Sequence, residues 1–209
     1  MKGLLEEYRR KRRRIKKRLA EFKRVYGKSE RDIFAELCFC IFTPQAKAIT
    51  CDFAVRKLKT KGLLLKGTRG EIRLCLAGVR FPNNKAKYLI EARKLFSNGQ
   101  GLKLKDKLDI KDPRKTRDWL VKNVKGIGYK EASHFMRNIG LGKGLAILDR
   151  HILKNLKKYG VIKNIPAALS EKEYLKIEKR MKDFFNRLNI PIEEADLLFW
   201  SRETGVIFK

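Results

Sequence analysis

The chain has 209 residues, with 52 Lys and Arg against 23 Asp and Glu, a formal net charge of +29. At 43% hydrophobic residues it can fold around a core, which excludes a disordered basic tail. A globule this basic attracts a polyanion. Bases outnumber acids more than two to one, so nucleic acid explains the balance better than the mixed-sign surface of a thermophile.

Other classes fall away next. The most apolar stretch, Ile33 to Phe42, carries Glu36 and is too short to span a bilayer. The first 30 residues spread both charge signs throughout and lack the apolar run of a secretory signal. Cys38, Cys40, Cys51 and Cys75 lie in apolar or helical-looking segments, where cysteine packs as a small hydrophobe. A lone Cys-x-Cys pair lacks the second pair of ligands that a zinc or iron–sulfur site needs. Reduced, unliganded thiols in a cytoplasmic protein are expected, with no cofactor.

In chain order, nearly every segment predicts helix. Leu4, Tyr8, Ile15, Leu19, Phe22 and Tyr26 form one apolar stripe. Arg9–Arg14 and Lys16–Arg18 cover the other face, as a solvated surface or a phosphate-binding one. Ser29 and Asp32 resemble a capping box before a helix apolar on all sides, a candidate bundle centre. Thr43-Pro44 ends that helix, and Gln45–Lys59 reads as the next. Thr68 and Glu71 cap a short one. The turn Phe81-Pro82-Asn83-Asn84 precedes a helix through Phe96, and 99–111 reads as a loop. Asp112-Pro113 starts a helix through about Lys122. Helices follow over Lys130–Asn138 and Arg150–Tyr159, ended by Gly140 and Gly160. Ser170 and Glu173 cap one reaching about Asn189, and Pro191 opens the last, through Arg202. No run alternates convincingly with the period of a strand, so the expected class is all-α.

Val124-Lys125-Gly126-Ile127-Gly128-Tyr129-Lys130 sits between two of these helices. Gly-x-Gly permits a tight turn and close approach to another molecule. It leaves the next helix starting with outward N–H groups, an anion site, while Ile127 can pin the turn into the core. Such an element grips a DNA phosphate without reading sequence. Flanking Lys122, Lys125 and Lys130 favour that use over an ordinary turn. Asp149 stands before the helix at Arg150, where an Asp is usually a cap. Spacing alone does not make Lys130 and Asp149 a catalytic pair.

Lys122 to Ser133, followed nineteen residues after Lys130 by Leu-Asp-Arg-His at Asp149, resembles the helix-hairpin-helix DNA glycosylases of the endonuclease III superfamily. That superfamily carries an L-P-G-[VI]-G-x-K hairpin and a later Asp. Here Lys125 stands where Pro is common. Phe42-Thr43-Pro44-Gln45 is similar to the segment that places a Gln or Asn near the extruded nucleotide, and Asn84-Lys85-Ala86 to the family's K-A helix start. No cysteine follows Cys75, so the C-terminal cluster of some branches is absent. Leu-Phe-Trp at 198–200 and the final Lys209 resemble the type-2 8-oxoguanine DNA glycosylase/lyases, found mainly in archaea.

The resemblance implies a bifunctional glycosylase/lyase for 8-oxoguanine. Its fold would be two helical lobes with a cleft between them and no iron–sulfur cluster. Residues 31–144 would form a helical-barrel lobe carrying the hairpin at about 113–140, and 1–30 with 145–209 the second lobe. Lys130 would be the Schiff-base nucleophile and Asp149 its electrostatic partner. Gly126, Ile127, Gly128, Lys125 and His151 would hold the DNA backbone. Gln45 would fill the void left by the flipped base, while Trp200 and Lys209 would meet the base. A monovalent cation at backbone carbonyls of Lys122, Val124 and Ile127 is implied, with no metal held by side chains. The partner would be double-stranded DNA containing an oxidised base or abasic site, bound by a monomer. Two other readings remain open: a glycosylase/lyase for another oxidised base, and a non-catalytic helix-hairpin-helix DNA-binding protein. A ribosome-associated protein would leave Lys130 and Asp149 unexplained.

Overall fold

The computed structural model describes residues 2–209. It is all-α: α1 (Lys2–Tyr26), α2 (Glu30–Phe42), α3 (Ala48–Thr60), α4 (Leu63–Lys66), α5 (Arg69–Cys75), α6 (Pro82–Phe96), α7 (Pro113–Asn123), α8 (Tyr129–Asn138), α9 (Arg150–Lys158), α10 (Glu171–Arg187) and α11 (Ile192–Thr204). Side-chain caps start many of them. Ser29, Thr68, Asp112, Asp149 and Ser170 each accept backbone N–H groups that the first helical turn leaves unpaired. No described helix is long and apolar enough to cross a membrane.

The apolar side chains gather in two clusters. The first surrounds α2, which buries nine residues, and includes α3, α5, α6, Leu120, the hairpin residues Val124 and Ile127, and Phe135 of α8. All four cysteines lie in it as buried free thiols. The second joins the stripe of α1 (Leu4, Tyr8, Ile15, Phe22) to α9, α10 and α11. Two buried ion pairs run from residues around the first cluster to helices of the second. Arg117 of α7 meets Glu178 of α10 at 2.8 Å, and Arg137 of α8 meets Asp196 of α11 at 2.5 Å. Glu178 also accepts the Ala146 N–H at 2.7 Å, so its second role is to hold the chain leading to Asp149.

Several local expectations are corrected. Gln45 does not begin a helix. Thr43–Ala46 is a β-turn closed by Ala46 N to Thr43 O at 3.0 Å, and α3 starts at Ala48. Pro82, Asn83 and Asn84 lie inside α6 rather than before it, because Phe81 makes the turn with φ +57°. The stretch 99–111 is not wholly loop: Leu102 bridges to Ser97, and Lys105–Lys107 form a 3-10 turn. Helix α4 carries no capping signal and was not foreseen.

Candidate active site

The hairpin between α7 and α8 is built as its glycines require. Gly126 has φ +81°, and a Cβ there would lie 2.6 Å from the Tyr88 ring. Val124 and Ile127 are buried and pin the turn, leaving Lys125 and Gly126 exposed. One expectation changes. The Gly128 N–H is not bare but donates to Glu131 Oε2 at 3.3 Å, as a glutamate three residues into a helix often arranges. Among the carbonyls, Val124 O accepts the Ile127 N–H at 3.3 Å, whereas Lys122 O and Ile127 O accept no N–H from the turn. Each of the three oxygens therefore keeps acceptor capacity.

Lys130 follows as the second residue of α8. It is about a quarter exposed and lies 3.2 Å from Glu131. Its charge acts on Cys40, Cys51, Lys85 and His134. Asp149 caps α9, with Oδ1 accepting the Ile152 N–H at 2.8 Å.

Residues next to Lys130 and Asp149 rest on one aromatic ring. Tyr129 lies 5.4 Å from Tyr174, centroid to centroid. The Tyr174 hydroxyl donates to Ala146 O at 2.7 Å and accepts the Leu148 N–H at 3.3 Å. Tyr174, which sequence reading left unmarked, thus ties the start of α8 to the segment ending at Asp149. The Asp149 charge also reaches Asp196, whose carboxyl is pushed up to about 6, mainly by burial, against the pull of Arg137.

The last residues return to the same region. Lys209 Nζ lies 2.9 Å from Glu36, 2.7 Å from Asp52 and 4.7 Å above the Phe39 ring. Trp200 stacks on Phe208 at 6.4 Å, and Arg18 of α1 donates to Phe208 O at 3.2 Å. The tail that ends in Lys209 thus docks on Trp200 of α11 and on α1. Glu36 and Asp52 were missed, although acids on otherwise apolar helices are a readable signal. His134, one turn after Lys130, is buried with no hydrogen-bond partner on either ring nitrogen. Burial, then Arg137, Lys130 and Lys209, hold it neutral. His151 stands apart, half-exposed at the start of α9, with Nδ1 3.9 Å from Glu203. Gln45 is exposed at its turn.

An all-α molecule with this glycine turn between α7 and α8 has the helix-hairpin-helix architecture. A family model described as 8-oxoguanine DNA glycosylase matches residues 15–190. An 8-oxoguanine DNA glycosylase/AP lyase of Fusobacterium nucleatum is 46% identical over 197 residues, 93% of this chain and 91% of its own length. The crystal structure of the 8-oxoguanine DNA glycosylase of Thermotoga maritima superposes with a TM-score of 0.88 at 34% identity, covering 100% of this chain and 97% of that one. That of the Methanocaldococcus jannaschii 8-oxoguanine glycosylase/lyase, in complex with 15mer DNA containing 8-oxoguanine, also gives 0.88 at 34% identity, covering 99% of this chain and 100% of that one. The chain belongs to the 8-oxoguanine DNA glycosylase family.

Proposed function

We propose that this chain excises 8-oxoguanine from double-stranded DNA and nicks the strand at the abasic site, with Lys130 as covalent nucleophile and Asp149 as its electrostatic partner. The supporting observation is the placement of Lys130 directly behind the Gly126–Gly128 turn, next to Tyr129 on the Tyr174 ring that also holds the segment before Asp149. The lobes are 31–144 and 1–30 with 145–209, of which Met1 lies outside the described residues, and the protein works as a cytoplasmic monomer.

A damaged base inside a duplex must leave the stack before its glycosidic bond can be attacked. The hairpin residues Lys125 to Gly128 and His151 hold the backbone, with Gln45 entering the vacated space. Trp200 and Lys209 receive the base. A cation on the Lys122, Val124 and Ile127 carbonyls would add positive charge at the phosphate. Lys130 then attacks C1′ as a neutral amine while the bond to the base breaks, and the base leaves with those electrons and takes up a proton. Asp149 stays ionised and stabilises the cationic sugar. The nitrogen of the Lys130–C1′ adduct gives up one proton to O4′ as the sugar ring opens, which leaves an iminium ion at C1′. Loss of a C2′ proton expels the 3′ phosphate and nicks the strand.

Borohydride reduction tests this directly. Wild type incubated with 8-oxoguanine duplex should be trapped as a covalent protein–DNA complex, and Lys130→Gln should not. A wild type that cannot be trapped on any lesion of a panel would exclude the Schiff base. Trapping on an oxidised pyrimidine alone would move the substrate.

A further inference from the structure

Lys85 is the only buried lysine among the described residues, 3% exposed at the start of α6. Its ammonium meets no carboxylate. It donates instead to Phe42 O at 2.6 Å and Pro44 O at 2.8 Å. Burying an ammonium without a counter-charge is expensive, and an apolar side chain would fill the same space at lower cost. Packing therefore does not account for it, whereas its two acceptors do. Phe42 O is a carbonyl left without a helical partner at the end of α2, where a cation is favoured. Pro44 O lies inside the Thr43–Ala46 turn. Its Pro44 occupies the second position and Gln45 the third, with φ +54°. That position favours Gly or Asn, so an exposed Gln is strained there and must be held by its surroundings. The Lys85 backbone N–H also donates, at 3.1 Å, to the carbonyl of Phe81, an exposed residue with φ +57°. Gln45 and Phe81 are two of three non-glycine residues with positive φ among those described; Lys85 bonds the carbonyl of Pro44 just before the first and the carbonyl of the second.

We propose that Lys85 is a positioning residue for base extrusion. Its ammonium locks the Gln45 turn beside Phe81, presenting a rigid two-residue edge to the base stack before DNA binds. The inference rests on the glycosylase/lyase function proposed above. A preformed edge places its ordering cost in folding rather than in each encounter. The Lys130 charge acts on Lys85, so the test must separate loss of the edge from a change around the nucleophile.

The separation comes from two substrates under single-turnover conditions. One is a duplex with a paired 8-oxoguanine, which needs extrusion. The other is a duplex with a preformed abasic site, which needs only the Lys130 chemistry. Lys85→Met should slow excision from the first by roughly 10- to 100-fold, the equivalent of one lost hydrogen bond to a charged group. Nicking of the second should stay within about threefold, since that step does not use the bond. 2-Aminopurine placed beside the lesion should brighten more slowly with the variant. Equal losses on both substrates, or no loss on the first, would overturn the proposal. If Lys85→Met does not fold, Lys85→Gln, Gln45→Gly and their double variant decide. The double should excise no more slowly than the slower single, and additive losses would mean that Lys85 does not act through Gln45. Absence of excision and trapping in the wild type would instead overturn the function itself.

Discussion

Asp149 carries two roles that one substitution separates. Its Oδ1 caps α9 through the Ile152 N–H, and its charge faces the reacting sugar in the mechanism above. Asn caps a helix about as well as Asp, so Asp149→Asn should leave folding stability within about 1 kcal/mol of wild type. Excision should fall by roughly 100-fold or more, the scale of one electrostatic stabiliser removed, while duplex affinity stays nearly unchanged. Thermal melts, single-turnover rates and binding titrations check the three parts, and equal losses of binding and excision would reduce Asp149 to a cap. Spacing could not single out this residue, because Asp before a helix is common and nineteen residues separate it from Lys130. Family resemblance marked the pair. What draws their neighbours together, Tyr174 beneath Tyr129 and Leu148, reads in sequence as one more core aromatic of an amphipathic helix. Lys85 was equally hidden, one base among 52, since its burial follows from helix packing that local pattern does not encode.

The hairpin poses its question at the scale of an element, because its two glycines serve different ends. Gly126 is required by conformation: φ is +81° and the Tyr88 ring leaves no room for a Cβ. Gly126→Ala should cost about 1–2 kcal/mol from the left-handed backbone alone, more once Tyr88 is displaced, and should weaken DNA binding with it. Gly128 has φ −105°, open to any residue, and its added Cβ would meet only the flexible end of Glu131 at 3.3 Å. Gly128→Ala should therefore stay within about 0.5 kcal/mol of wild type in stability. It should still lose duplex affinity by crowding the amides at the start of α8. Urea melts alongside binding titrations test the contrast, and wild-type affinity in Gly128→Ala would place the phosphate elsewhere. The helices either side were legible to within a residue or so, through Asp112-Pro113 and the glycines themselves. The Glu131 bond to Gly128 was legible in principle, as a Glu three residues past the cap position, but the expectation of bare amides passed over it. The Gln45 turn was not legible, because its strain is carried by Lys85 from a helix forty residues away.

Across the whole molecule, the charge read from sequence divides unevenly between surface and interior. Asp52, Glu178, Glu194 and Asp196 are buried together with Lys85, Arg117 and Arg137, so the interior is nearly neutral and the surface carries essentially the whole +29. Of these, Asp196 sits between the two apolar clusters, paired with Arg137 and within reach of Asp149. Its carboxyl titrates near 6 in the fold against 3.8 for the free side chain, because burial outweighs the attraction of Arg137. Between those values the native state binds more protons than the unfolded chain. Stability from this group is therefore fully present below about pH 4 and is lost as pH rises through about 6. Asp196→Asn, which mimics the protonated form, should match wild type near pH 4 and exceed it at pH 7, so wild-type stability minus that of the variant falls with rising pH. Urea melts at the two pH values on both proteins isolate this titration from carboxylates shifted the other way, such as Asp32. A variant that instead loses most stability at pH 7 would show that Coulomb attraction dominates and that Arg137–Asp196 stabilises the contact between the clusters. The expected result makes the pair a device for orientation: it fixes α11, with Trp200, against α8, which carries Lys130, at a cost in stability that grows as Asp196 ionises.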